Sequence, residues 1–316
     1  MSGNQRFLGF YLKKNNPCSL SSTPPPSPSA GSLNWKVLRQ RLVISFLFLL
    51  GVLSSTNAGP SLKVRDPRLR SAAVVVQDQN TDELLFSKKA EAVMPIASIT
   101  KLMTAMVVLD SGINMGMPIT IEELDKDKLR YSRSHLYVGT RLSRMQALLL
   151  ALMASENRAA HALARTYPGG KAEFIRAMNR KAQMLNLSET KFEDSSGLSG
   201  GNVSSAADLC RLVNAAYRYP LIRQFSTRKE FVLKNGRKQM RFVNTNSLVR
   251  SDSWDIGLSK TGYIQEAGRC LVMQASVTDR PVVIVLLNAS GNSTRINDVL
   301  RIKRWLEKLK PSSQNI

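Results

Sequence analysis

The chain has 316 residues, 43% of them hydrophobic, enough for one large core or two modest ones, and nothing in it is fibrous or repetitive. Its formal charge of +22 points to a polyanionic partner: nucleic acid, an anionic lipid surface, or a carboxylate-decorated polymer such as bacterial cell wall. With 6% aromatic residues and no basic helix interleaved with aromatics, nucleic acid is disfavoured, and three cysteines are too few for a disulfide framework.

Residues 1–58 contain no Asp or Glu and read as a leader. The run SLSSTPPPSPSAGS cannot pack a core; Lys36, Arg39 and Arg41 then precede an apolar run from Leu42 to Leu53 and the small residues Thr56 and Ala58, the layout of a cleaved signal peptide. That run spans 12 residues, short of the roughly 20 that a membrane-spanning helix needs, so an uncleaved anchor is the weaker reading. Removing the leader takes away six basic residues and lowers the formal charge from +22 to +16. Export to the periplasm makes nucleic acid a poorer partner still. Residues 59–70 read as a linker, 71–310 as the folded domain and 311–316 as a tail.

The folded part opens with SAAVVVQDQNTDELLFSK, two β-rich runs around a polar turn, a hairpin pattern. VMPIASITKLMTAMVVLD, residues 93–110, follows as an apolar helix after Pro95, with Ser98 and Lys101 one turn apart. Residues 119–142 are polar and irregular. Ser143 with Gln146 then forms a capping-box pattern ahead of ALLLALMA. Ser155-Glu156-Asn157 interrupts that helix, which resumes until Pro168. Helices are expected over 171–186 and 205–218, the second ended by Pro220. Strands follow: EFVLKNGRKQMRFV with an Asn235-Gly236 hairpin signal, then SKTGYI, RCLVMQASV and PVVIVLLNA. An amphipathic helix over 294–309 closes the domain. Cys210 on a helix and Cys270 on a strand are expected as two buried thiols, with one bridge as the alternative. Strands at both ends bracketing a helical middle predict an α+β fold: one mixed sheet flanked by helices, with an inserted helical subdomain and Ser98 at the seam.

The pattern S-x-x-K occurs three times, at Ser98 to Lys101, Ser188 to Lys191 and Ser226 to Lys229. The second lies in the polar loop NLSETKFEDSSG and the third in a charged turn, where a lysine is solvated and permanently charged. Only the first lies at a helix start among apolar residues able to strip water from the amine. Holding a free lysine neutral at pH 7 costs about 4.6 kcal/mol, which burial and a second cation can offset. Lys260, beside the small residues Thr261 and Gly262, offers that cation on a strand whose edge can take a peptide by strand addition, its ammonium meeting a carboxylate. Ser155 and Asn157 lie at a break between two helices where they can face Ser98. The same S-x-N spacing at Ser290 and Asn292 follows the last strand and reads as a turn. As plain alternatives, Ser98 caps its helix while Lys101 snorkels, and Ser155 and Asn157 serve as caps.

S-x-x-K, S-x-N and K-T-G, in that order on a helix start, an inter-helix turn and a strand, form the trio of penicillin-binding proteins and class A β-lactamases. Across most of residues 71–309, PIASITKLMTA, ASENRAA, YPGG, NTNSLV and SKTGYIQEAGRCLVM resemble a low-molecular-mass penicillin-binding protein of the D-alanyl-D-alanine peptidase family. The resemblance is to the penicillin-binding protein 7 type of endopeptidase; Glu156, where many sister carboxypeptidases have Gly, favours that branch. It implies the β-lactamase/DD-peptidase-like fold and no cofactor. Ser98 is then the nucleophile, Lys101 its base and Ser155 a proton relay to the leaving amine. Asn157 binds the acyl side, Lys260 contacts a carboxylate in the Lys260-Thr261-Gly262 strand, and the amides of Ser98 and Tyr263 form the oxyanion hole. Peptidoglycan peptides are the implied substrate and β-lactams the implied inhibitors, with a loose association with wall or membrane surface.

Other classes fit less well. A Ser-His-Asp hydrolase or a zinc peptidase has only His135 and His161 to draw on, in no ligand-like spacing, and His161 reads as a packed helix residue. A β-lactamase of the resembled family carries a glutamate in an E-x-x-L-N context, which Glu173, Glu189, Glu193 and Glu230 lack. A cationic, non-enzymatic wall-binding protein is the remaining class. The residues do not separate endopeptidase from carboxypeptidase, since both need the same nucleophile and base.

Overall fold

The computed structural model describes residues 65–251 and 253–309; the signal-peptide reading and the tail lie outside them. No helix among the described residues is long and apolar enough to cross a membrane.

The hairpin forms from β1 (Ala73–Asp78) and β2 (Leu84–Lys88). β3 (Met94–Pro95) leads into a 3-10 turn, Ala97–Thr100, which continues as α1 (Lys101–Asp110). Within the stretch expected to be irregular, β4 (Pro118–Thr120) pairs with β5 (Arg141–Ser143) at the two ends of a long loop. α2 (Arg144–Met153) starts on the Ser143–Gln146 capping box, and α3 (Asn157–Arg165) and α4 (Gly170–Met184) complete the helical insert. β6 (Val203–Ser204) pairs with β3, and α5 (Ala206–Tyr217) follows. α5 ends ahead of Pro220, as expected, and Pro220 also opens a helix that was not expected, α6 (Pro220–Ser226), because its missing N–H costs nothing in the first turn.

β7 (Glu230–Asn235) and β8 (Lys238–Val243) pair with each other outside the main sheet. Asn235 pairs with Lys238, so the two loop residues are Gly236 and Arg237, not Asn235 and Gly236, and Gly236 takes the positive φ of 58°. β9 (Asp255–Ile264), β10 (Gly268–Val277) and β11 (Arg280–Ala289) form a meander, and α7 (Asn292–Leu306) is the last element among the described residues.

The main sheet has the order β2-β1-β11-β10-β9, and every pairing in it is antiparallel. The expectation of mixed strand directions is corrected here: the links between β9, β10 and β11 are too short for the crossover that a parallel pair needs. Side chains alternate between the two faces. Val74, Val76, Met273 and Ile284 meet Ile302 and Trp305 of α7, while Val75, Val272, Val283 and Val285 join the core formed with α1 and α5. Buried on α7, Asp298 accepts the Ser71 amide at 2.7 Å and the Ser71 hydroxyl at 2.8 Å, tying the chain entry to its last helix. β9 is left at the sheet edge, packed against the 3-10 turn that carries Ser98.

Candidate active site

Ser98 is the second residue of the 3-10 turn, and neither that turn nor α1 has a side-chain cap, so the capping reading fails. Lys101 does not snorkel; it is fully buried. Its Nζ lies 2.7 Å from Ser98 Oγ, 2.8 Å from Asn157 Oδ1 and 2.6 Å from the Ser196 carbonyl. Burial brings the amine down from 10.5 to about 7, against the pull of the Asp194 and Glu156 carboxylates.

This arrangement satisfies both protonation states. As an ammonium, Lys101 donates to all three oxygens and the Ser98 hydroxyl donates to the Ser196 carbonyl, 3.2 Å away. As an amine, it donates to Asn157 and Ser196 and offers its lone pair to the Ser98 proton. A proton can therefore pass from hydroxyl to amine without leaving a buried group unpaired.

Lys260 is also buried, and its Nζ donates to Ser155 Oγ and to the Thr261 carbonyl, each at 2.9 Å. Burial first, then the charges of Lys101 and Arg295, hold it well below its ordinary value. The helix-cap role considered for Ser155 and Asn157 belongs to Glu156, which accepts from the Arg158 amide at 3.2 Å and from the Ser134 hydroxyl at 2.6 Å. Ser155, at φ 58°, is left facing Lys260. Asn157 donates to Ser132 Oγ at 2.9 Å, which turns its carbonyl toward Lys101.

Two glycines let backbones meet behind Ser98. A Cβ on Gly262 would lie 2.9 Å from the Ile96 carbonyl and 3.1 Å from the Ser98 nitrogen, so β9 passes directly against the turn. The missing side chain thus accommodates the chain's own backbone. A Cβ on Gly197, which has φ 82°, would sit 1.9 Å from the Ala97 carbonyl oxygen. Gly197→Ala is therefore expected to cost about 3 kcal/mol or more and to push Ser98 away from Lys101. A thermal melt and a penicillin-labelling assay should both show the loss, and a variant with wild-type melting and labelling contradicts this packing.

Ser98, Ser155, Asn157, Thr261, Gly262 and Tyr263 line one cavity of about 480 Å³. Lys101 and Lys260 lie behind its wall. Sequence reasoning missed Thr245, Arg250, Arg269 and Arg295, which also line it. Thr261 Oγ1 donates to Thr245 Oγ1 at 2.6 Å, and Arg269 stacks 3.8 Å from the Tyr263 ring centroid. Buried Arg295 donates to the Cys270 carbonyl at 3.0 Å and leaves its Nε without a partner among the described residues. Asn292, assigned to a turn, also borders the cavity. No pattern in the sequence flags these residues, because β10, α7 and the 245–250 segment meet only in the fold.

The other S-x-x-K pairs stay out of this cavity. Lys191 is exposed and pairs with Glu193, while Ser226 is buried and donates to the Arg223 carbonyl. The loop read as polar and solvated does contribute: its Asp194, Ser195 and Ser196 are buried beneath Lys101. Cys210 and Cys270 are buried free thiols, pushed up by burial to about 12 and about 11.

A family model for D-alanyl-D-alanine carboxypeptidases matches residues 61–291. A D-alanyl-D-alanine endopeptidase of Pseudomonas aeruginosa is 44% identical, covering 85% of this chain and 89% of the relative. One of Escherichia coli K12 is 42% identical, covering 76% and 78%. Among solved structures, the Streptomyces K15 DD-transpeptidase superposes with a TM-score of 0.71 at 28% identity, covering 77% of this chain and 98% of that one.

Proposed function

We propose a specific reaction for this chain, which belongs to the D-alanyl-D-alanine carboxypeptidase family and is a serine-type peptidase: hydrolysis, through an acyl-enzyme, of D-alanyl-diaminopimelyl cross-links in peptidoglycan. The observation that carries it is the buried Lys101 amine, brought down to about 7 and held 2.7 Å from a serine that opens onto a cavity. Ser98 Oγ attacks the D-alanyl carbonyl while its proton passes to Lys101. The developing oxyanion is held by the amides of Ser98 and Tyr263, on the backbones that Gly262 brings together. Ser155 gives its hydroxyl proton to the leaving amine and takes one from Lys260; water then adds to the acyl carbonyl, its proton passing through Ser155 to Lys260, while Ser98 Oγ leaves with the proton held by Lys101. Asn157 fixes Lys101 and the acyl side of the substrate.

Arg250, Arg269 and Arg295 border the cavity and, among the described residues, no acidic side chain does, which suits a substrate rich in carboxylates. A carboxylate arriving there draws a proton onto Lys260, and that charge in turn keeps Lys101 neutral. The two endopeptidase relatives support cleavage of cross-links over trimming of pentapeptides. Export to the periplasm, inhibition by β-lactams and a salt-sensitive hold on the anionic wall complete the reading.

Purified cross-linked dimers and uncross-linked pentapeptides, digested side by side, test the preference. Dimers should be split faster; rapid release of D-alanine from pentapeptides with dimers left whole makes the protein a carboxypeptidase. Labelled penicillin should map to Ser98, and an adduct on Ser188 or Ser226 removes the site assignment.

A further inference from the structure

His161 on α3 has no part in the chemistry above, yet its ring reaches the segment that holds Lys101. Nδ1 lies 3.0 Å from the Asp125 carbonyl oxygen, which can only accept, so Nδ1 carries a hydrogen. Nε2 lies 3.0 Å from Ser196 Oγ, and that hydroxyl is 2.8 Å from Asp194 Oδ1. Asp194 is ionised and also only accepts: although burial opposes it, donation from the Ser199, Ser196 and Gly197 amides holds it below the usual carboxylate range.

The contacts therefore lack one hydrogen when the imidazole is neutral. The single Ser196 proton can go to Nε2, leaving two bare oxygens of Ser196 and Asp194 at 2.8 Å, or to Asp194, leaving two lone pairs facing at 3.0 Å. Only the imidazolium satisfies all three contacts, donating from Nδ1 to Asp125 and from Nε2 to Ser196, which donates on to Asp194. The Ser196 carbonyl is the 2.6 Å acceptor of Lys101.

We propose that His161 is a positioning residue that couples a second proton to the Ser98–Lys101 pair through the Ser196 hydroxyl and Asp194. With His161 charged, Asp194 is neutralised and a second cation stands near Lys101, so the amine stays neutral at lower pH. With His161 neutral, the field of Asp194 falls on Lys101 and favours the ammonium.

The groups around the ring act in both directions. Burial first, with Lys171 from α4 and Lys101 from α1, holds the ring below its ordinary value, while the Asp125 carbonyl and Asp194 pull toward the charged form that the hydrogen-bond count requires. The Asp125 carboxylate is taken by Arg165, at 2.9 Å. A separate cavity of about 320 Å³, bordered by Lys126, Asp127 and Lys128, opens onto His161 and Asp194 and gives water a route to the ring away from the substrate cleft.

This inference rests on Ser98 and Lys101 being nucleophile and base. The test is the rate of acylation by labelled penicillin from pH 5 to 9 for the full chain, His161→Gln, Ser196→Ala and the double variant. In His161→Gln the midpoint of the acid limb should rise by about one unit, read as about tenfold slower acylation at pH values below it. Ser196→Ala should move the midpoint the same way, with no further shift in the double variant. Profiles whose midpoints coincide, even if one is uniformly lower, overturn the coupling and leave a structural histidine. Should a variant not fold, proton NMR of the wild type decides: the protein has two histidines, and the His161 titration should move when Lys101 is replaced by Met. An unmoved titration overturns the proposal. Failure of penicillin to label Ser98 in the wild type instead removes the site assignment itself.

Discussion

Replacing Ser98 by alanine is expected to abolish the penicillin adduct and to lower peptide cleavage by about 10⁴-fold or more, with the fold left in place. Among the described residues, no other hydroxyl is hydrogen-bonded to Lys101 Nζ. Ser155 borders the same cavity, but its oxygen accepts from Lys260 and stands outside the set of atoms around Lys101 Nζ. Thr100 donates to the Ala97 carbonyl and is buried away from the opening. Stability should change by about 1 kcal/mol or less, since Lys101 retains Asn157 Oδ1 and the Ser196 carbonyl as partners. Intact-mass measurement after incubation with a labelled penicillin reads the adduct, and a thermal melt reads the fold. An adduct that survives in Ser98→Ala means that another residue is the nucleophile.

The parts of this site legible in the sequence are those whose signal is local. An apolar helix start predicts a buried Lys101, and the break in α2–α3 predicts a turn that can present Ser155 and Asn157. A strand with small residues predicts the close approach at Gly262, although what it meets is the Ile96–Ser98 backbone. The parts that were not legible depend on distant segments meeting. The Asp194–Ser196 stretch is polar and followed by Gly197, so it reads as solvated loop; it is buried because α1 and α3 close over it and because Asp194 satisfies the Ser196, Gly197 and Ser199 amides. Arg295 lies on a helix whose sequence shows only that it is amphipathic, and its inward contact with the Cys270 carbonyl appears only in the fold. The helix at Pro220 was lost for a different reason: proline ends one helix and opens the next with equal ease, and the pattern before it does not distinguish the two.

Lys101→Met separates catalysis from stability. Without the amine, Ser98 Oγ keeps only the weak 3.2 Å contact to the Ser196 carbonyl and no base, so acylation should fall by about 10³-fold or more. Stability carries the opposite sign over part of the pH range. The amine titrates at 10.5 when free and at about 7 in the fold. Between those values the unfolded chain binds one more proton than the folded chain, so the wild type gains stability as pH rises, by about 1.4 kcal/mol per unit. At and below pH 7 the buried amine is least favourable, by about 5 kcal/mol relative to pH 10.5. Methionine has no such slope. Against this it leaves Asn157 Oδ1 and the Ser196 carbonyl without their donor, an offset of about 1–3 kcal/mol each that does not vary with pH. Removing the Lys101 charge also relaxes Lys260, which Lys101 helps to hold down, and this adds a term of the same sign. The stability of Lys101→Met minus that of the wild type should therefore be highest at or below pH 7 and decline steadily toward pH 10. Urea denaturation at pH 6, 7.5 and 9 measures it. A flat difference across that range would mean that the amine keeps its proton in the fold, and Lys101 could not then serve as the base.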